Sequence, residues 1–421
     1  MNSHRNRSGW RLGLCLTLCL AACGREVPLE ARVERLLQQQ EYAQALDLVA
    51  GELGRRPDAW AMHDLRVRVL LAAGRADEAL RAYAERYARG GADSPGVFRQ
   101  IAIALLQDGL ASRDGLLRSH AAAALAALAA PDLLPVYRRA LSHPDALVRA
   151  FAVQGLAKVS GEEPGRLLRE TLHDSHAEVR AAAAGALAGR KDAETQAALE
   201  QALADPNRAV RVRAAAALAR QGRPAAVTLL TRLLEDADDS IRMQAAEALG
   251  HLGSSEAVPA LRPVLQDPNP YVRMYAAEAL ARLGEPQGHE ALRQALQHAN
   301  RSVALYAAEA FSNLGDASGT PLLVKALAPG EDLSGRLYAA WTLARLGDLR
   351  GRPILDELLR DGEMPVRMQA TWTLGQMGDS SGVTSLRRAL MDEARPVRLE
   401  AAWALAARLH RGAAGAPISG G

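Results

Sequence analysis

Apolar and polar positions alternate along most of this chain at helical spacing, and one short pattern is written many times. Residues 272–284 read VRMYAAEALARLG, residues 241–253 read IRMQAAEALGHLG, and residues 366–378 read VRMQATWTLGQMG. Taking the first residue of the pattern as position 0, the equivalent residues are Leu117, Val148, Val179, Val210, Ile241, Val272, Val303, Gly335, Val366 and Val397. Every step is 31 residues except one of 32, into Gly335. Position 4 is Ala in all ten copies, and position 8 is Leu in nine and Phe311 in the other. Positions 0, 4, 7, 8 and 11 form an apolar stripe at helical period, which predicts an amphipathic helix in each copy. Six successive copies carry Gly at position 12, from Gly222 through Gly253, Gly284, Gly315 and Gly347 to Gly378. A residue tolerant of the left-handed conformation ends a helix there.

A second helix lies ahead of each pattern. In AVPALRPVLQD (257–267), Leu261 and Leu265 share its inner face, and the turn DPNPY (267–271) leads into the next helix. Each unit is then a helical hairpin that cannot bury its apolar face alone, and stacking the units builds one continuous core. The prediction is all-α: a right-handed solenoid of about ten hairpins, extending about 80–100 Å if stacked as an open array.

Residues 28–90 follow another period. EYAQALDLV (41–49) and RADEALRAY (75–83) lie 34 residues apart, placing Ala45 over Ala79 and Leu46 over Leu80. This segment resembles tetratricopeptide repeats. The longer array, with VRxxAAxALGxxG after a helix ending in an Asp-Pro turn, resembles HEAT repeats in the short form also found in phycobilin lyases. That resemblance spans roughly residues 95–411 and implies a fold, with little about function. The expected divisions are 1–22 as a signal, 23–90 as a tether and tetratricopeptide-like hairpins, 91–411 as the HEAT-type solenoid, and 412–421 as a flexible tail.

The first residues carry an address of their own. Arg5, Arg7 and Arg11 precede the apolar run LGLCLTLCLAA (12–22), too short to span a bilayer, for which about 20 residues are needed. This is the pattern of a secretory signal. Its end, Leu20-Ala21-Ala22-Cys23, resembles the bacterial lipobox. The resemblance implies cleavage before Cys23, acylation of its thiol and amine, and more than one acyl chain, enough for stable anchoring. Gly24 follows, where enterobacterial lipoproteins retained at the inner membrane carry Asp. The expected location is therefore the bacterial envelope, at the outer membrane facing the periplasm.

Removing the signal alters the charge and cysteine arguments. The formal charge of +3 includes the three signal arginines, and residues 1–22 hold no acid, so the mature chain is neutral. Its basic pI then gives no support to nucleic-acid binding. Cys15 and Cys19 leave with the signal, so only the lipidated Cys23 remains. A disulfide, a catalytic thiol, a Cys-based zinc site and a CxxCH haem all drop out.

Candidate chemistry is sparse. Arg at position 1 recurs in nine copies, failing at Ala304, and Asp five residues ahead of position 0 recurs in six. The expected role is an internal ladder, with the Asp capping the inner helix and the Arg pairing across units. His173 and His176 form an HxxH with no further ligands nearby in sequence. His289-Glu290 resembles the His-Glu pairs of HEAT-type di-iron hydroxylases but occurs once, where that family needs several. No phosphate loop, nucleophile elbow or HExxH motif is present.

Position 6 is more telling. It reads Glu247, Glu278, Glu309 and then Trp341, Trp372, Trp403 in six successive copies. At 100° per residue it lies about 140° from the centre of the apolar stripe, which predicts an outward side chain. Position 2, one turn away, carries Leu337, Met368 and Leu399 beside the three Trp. These nine residues are the expected partner-binding face, on the concave side of the array.

The function so implied is non-enzymatic: a lipid-anchored envelope scaffold holding a protein segment, with no cofactor, metal, nucleic acid or small-molecule substrate. Two other readings compete. One is a chromophore-lyase-like or other enzyme on a HEAT scaffold, and the other is a glycan-binding module using the Trp row as a stacking platform.

Overall fold

The computed structural model describes residues 27–90, 95–128, 130–377 and 382–415. Residues 1–26, on which the expected signal and Cys23 fall, and Gly378 lie outside the described residues. Twenty-four α-helices fill the structure, and no strand occurs among the described residues. No helix there is long and apolar enough to cross a membrane. The chain divides into two compact units, Met1–Leu105 and Leu106–Gly421.

The first unit contains α1 (Leu29–Gln38), α2 (Tyr42–Arg55), α3 (Trp60–Ala72), α4 (Ala76–Ala88) and the start of α5 (Pro95–Leu110). Val33, Ala45, Val49, Met62, Leu65 and Val69 close its core. Ala45 and Ala79, one period apart, are both fully buried, as small residues must be where helices meet. The Phe98 ring lies 5.1 Å from Tyr83, so α5 contributes to this unit beyond residue 90.

The second unit alternates outer and inner helices. The inner ones are α6 (Gly115–Leu128), α8 (Ala146–Leu156), α10 (Ala177–Ala186), α12 (Arg208–Arg220), α14 (Asp239–Leu252), α16 (Pro270–Arg282), α18 (Arg301–Asn313), α20 (Leu333–Arg345), α22 (Met364–Gln376) and α24 (Arg395–Gly415). Shorter outer helices run between them: α7 (Leu134–Leu141), α9 (Glu162–Thr171), α11 (Ala193–Ala202), α13 (Pro224–Leu233), α15 (Val258–Val264), α17 (Pro286–Ala295), α19 (Thr320–Ala326), α21 (Arg352–Leu358) and α23 (Gly382–Ala389). Gly222, Gly253, Gly284, Gly315 and Gly347 all take positive φ at the ends of inner helices. The helix α24 continues through Gly415, past the point where a tail was expected to begin.

Each inner helix packs on the next, and α24 packs on α6. The array therefore closes on itself. The expected open arm becomes a circumference, with a turn of about 36° per hairpin. Close approach of the inner helices makes this curvature possible. A Cβ built on Gly250 would stand 2.6 Å from Ala279 Cα, and one on Gly375 would stand 2.7 Å from Ala404 Cβ. Ten helix axes 8–10 Å apart enclose an opening of roughly 15–20 Å once the helices' own half-width is subtracted.

The Arg–Asp ladder is present. Arg149 grips Asp174 with two hydrogen bonds of 2.7 and 2.8 Å, and Arg180–Asp205, Arg242–Asp267 and Arg367–Asp392 repeat the fork. The remaining guanidinium nitrogen donates to the Arg's own turn, as from Arg180 to the Asp174 carbonyl at 2.9 Å. Each Arg thus ties its own turn to the next. The helix cap sits two residues beyond the Asp: Asn207, Asp238, Asn269 and Asn300 accept from the first turn of their helices. The ladder Asp instead accepts from the cap residue's own N–H, as Asp205 does from Asn207 at 2.8 Å. It braces the cap rather than forming it.

Candidate functional site

An inner helix of a closed array is covered on three sides, by its outer partner and by a neighbour on either flank. Positions 0, 4, 7, 8 and 11 account for only part of that coverage. Position 5, Ala277 and Ala340 for example, and position 2 from Met274 onward are also buried. From α6 to α22, what stays uncovered is a narrow strip of positions 3, 6 and 10, which fall within about 60° of one another at 100° per residue. This strip lines the opening.

The burial corrects part of the expected binding face. Leu337, Met368 and Leu399 are 3%, 4% and 0% exposed, because position 2 meets the flanking helix instead of the opening. Trp403 is 2% exposed and lies where α24 meets the start of the array. A Cβ on Gly109 would be 3.1 Å from its Cζ2 atom, so a residue without a side chain makes room for the indole. Trp341 and Trp372 are half-buried. No row of three outward Trp exists, because Trp403 is covered.

The acidic half of the column does line the opening. Glu247, Glu278 and Glu309 border one cavity of about 550 Å³ together with Tyr275, Tyr306 and Arg345. The tyrosines come from position 3, which reads Tyr275, Tyr306 and Tyr338 in the three successive repeats that follow α14, one repeat on from the three glutamates. Sequence reasoning passed over this column, although three identical bulky residues in register were the signal. The rings form a chain: Tyr271 to Tyr306 at 5.7 Å, Tyr306 to Tyr338 at 5.8 Å, and Tyr338 to Trp341 at 5.9 Å between centroids.

Position 10 supplies the counter-charges. Arg282 donates to Glu278 at 2.7 Å from one helical turn away. Arg345 donates to Glu309 at 2.9 Å and to Asn313 at 2.8 Å, with its guanidinium 4.9 Å from the Trp341 ring centre. Tyr338 also donates its hydroxyl to Glu309. Burial first, and then that carboxylate, push the Tyr338 hydroxyl well above the ordinary tyrosine range. Tyr275 is raised as well, by burial and then by Glu247. Glu247 itself makes no hydrogen bond or ion pair among the described residues, and it borders a second cavity of about 1000 Å³. That cavity lies along helices whose strip holds small residues such as Ala182 and Gly185. The same cavity is also lined by Lys158 and Arg213, so the wall passes from an aromatic, acidic arc to one of small residues with basic side chains.

No group of three or more metal-capable His, Cys, Asp or Glu side chains occurs among the described residues. His176 is engaged by Arg149 at 3.0 Å and by Ser175 at 2.9 Å, and Glu290 by Arg293 at 3.2 Å.

Helical hairpins in strict register, with an Arg–Asp ladder outside and a lined opening inside, define an α-solenoid repeat protein. The chain belongs to the HEAT-repeat family, whose pattern matches residues 103–188, 165–250, 195–268, 228–312, 258–335 and 320–406. No curated protein sequence matches the chain. Among solved structures it is similar to human deoxyhypusine hydroxylase in complex with glycerol, at 24% identity over 59% of this chain and 96% of that one, with a TM-score of 0.32. It is also similar to the complex of CpcE and CpcF of phycocyanin lyase from Nostoc sp. PCC7120, at 20% identity, 68% and 95% coverage and a TM-score of 0.35. A third is Kap95p bound to RanGDP, at 16% identity, 93% and 56% coverage and a TM-score of 0.34.

Proposed function

We propose that this protein is a non-catalytic scaffold of the bacterial envelope, lipid-anchored through Cys23, that holds a segment of a partner protein against the inner face of its HEAT array. The observation that carries the reading is the wall of Tyr275, Tyr306, Glu247, Glu278 and Glu309 around one cavity of about 550 Å³. Aromatic rings flanked by carboxylates give a peptide segment both contact area and polar partners at low cost in side-chain entropy. Two of the three carboxylates are held by arginines of the chain itself, an arrangement suited to binding rather than to proton transfer. The motif Leu20-Ala21-Ala22-Cys23 supports the anchor, with the outer membrane's periplasmic leaflet as its location. The 34-residue period of residues 41–83 supports a tetratricopeptide-like start close to that anchor.

Photo-crosslinking in living cells tests the scaffold reading. A photoreactive residue at Gln244, on the inner strip, is expected to capture a discrete partner. One at Glu194, on the outer helix α11 with its side chain 78% exposed, is expected to capture none. Equal capture from both positions, or capture only from Glu194, would refute it.

A further inference from the structure

The three glutamates of the inner strip are equivalent by register, yet they are not equivalent in charge. Glu278 and Glu309 each hold an arginine supplied by position 10, Arg282 in the first case and Arg345 from a neighbouring helix in the second. In the repeat of Glu247, position 10 is His251, which does not bond to it, and Glu247 holds no cation, although Arg213 borders the same second cavity. The way a guanidinium is received on this wall is already visible at Arg345. Its charge meets the Glu309 carboxylate at 2.9 Å while its plane lies over the Trp341 ring at 4.9 Å. Carboxylate and aromatic face together are the two groups that a guanidinium uses best.

Glu247 offers the same pairing with its place unfilled. Tyr275 is its aromatic neighbour across the α14–α16 contact, half-buried, and raised in pKa partly by the Glu247 charge. These two residues are also the ones that border both cavities, so a side chain lying between the acidic arc and the arc of Lys158 and Arg213 passes them. We propose that Glu247 and Tyr275 receive an arginine side chain of the segment bound on the inner face, so that the bound partner is a basic peptide. This inference rests on the scaffold reading above and specifies its occupant. An acidic or neutral segment would leave Glu247 half-buried and unpaired, an arrangement that opposes binding.

The probe is the peptide acetyl-(Gly-Ala-Arg-Ala)3-amide, titrated calorimetrically into the full chain in detergent micelles, beside the same peptide with citrulline in place of arginine. Citrulline keeps the shape and removes the charge. Binding of the arginine peptide, a loss of about tenfold or more in Glu247→Gln, and no such loss in Glu278→Gln are expected. Glu247 makes no bond in the fold, so its amide leaves the array intact, and a matching thermal melt verifies this. Equal binding by the citrulline peptide would overturn the charge class, and an unchanged affinity in Glu247→Gln would overturn the site. If neither peptide binds, the arginine assignment falls, whereas the scaffold reading still stands or falls on the Gln244 cross-link.

Discussion

His120 Nδ1 and Glu400 Oε2 lie 2.7 Å apart although 280 positions separate them in the chain. Both occupy position 3 of their repeats, the first and the last. The last inner helix therefore docks on the first through position 3 of both repeats. Glu400 is buried in the contact at 5% exposure, with Leu399, Ala402 and Trp403 beside it. At this junction no hairpin links the two helices covalently, so side-chain packing alone holds it, and it covers Glu400, Trp403 and Ala407, whose positions stay open in the other inner helices.

Trp403→Ala tests the junction. Removing a buried indole is expected to cost about 3–5 kcal/mol through lost transfer energy and the cavity left behind. Trp372→Ala, at the equivalent position but half-buried, should cost clearly less. Chemical denaturation of the two variants compares them directly. Equal losses would mean that α24 does not close on α6.

Gly109→Val approaches the same contact from the other side. Its Cβ would meet Ala121 Cβ at 2.7 Å and the Trp403 ring at 3.1 Å, so the junction must shift to admit it. Faster amide exchange confined to the end of α5, α6 and α24 is the expected signature. Uniform protection across all inner helices would show that the contact tolerates the bulk.

The ladder makes stability depend on acid. The Arg149 guanidinium holds the Asp174 carboxyl below the usual range, and Arg180 does the same for Asp205. A carboxylate with a lowered folded-state pKa contributes stability that is present above its unfolded value, about 3.9, and lost as pH falls through the folded one. Melting temperature should therefore drop between about pH 5 and pH 2, and the drop should be shallower in Asp174→Asn/Asp205→Asn. At pH 7 each single substitution should cost about 1.5–3 kcal/mol, the range for a hydrogen bond to a charged group. Identical acid profiles in wild type and double variant would remove the ladder from the pH response.

Cys23→Ser tests the proposed anchor. Labelling with an alkyne fatty acid should vanish and the protein should leave the membrane fraction, since the two or more acyl chains that make attachment stable are lost together. Label-free wild type partitioning like the variant would exclude lipidation.

The sequence made the repeat unit, its helix ends and the Arg–Asp ladder legible, because each is a local pattern repeated in fixed register. The burial of position 2 was not legible in the same way. One copy shows which residues are apolar, but only the neighbours on both flanks decide which apolar residues are covered, and so Met368 and Leu399 were read as exposed. A clue to closure was present in α24, whose VRLEAAWALAA carries no polar outer face of the kind a terminal repeat needs in water. Reading position 3 as a column beside position 6 would have brought Tyr275, Tyr306 and Tyr338 into the site. Glu247 needed the structure, since its lack of a counter-ion depends on where Arg282 and Arg345 reach.

An open stack of repeats frays from its ends, where detaching one unit breaks a single interface. With α24 seated on α6 there is no end to fray. Releasing any one hairpin from the circuit must break two interfaces, and the intermediate gains little chain freedom, because both of its flanks stay tethered. Local opening is thereby penalised relative to complete unfolding, and the array should melt in one cooperative step in place of a progressive unravelling. Opening the α6–α24 contact restores two free ends and converts the same sequence back into a chain of nearest neighbours.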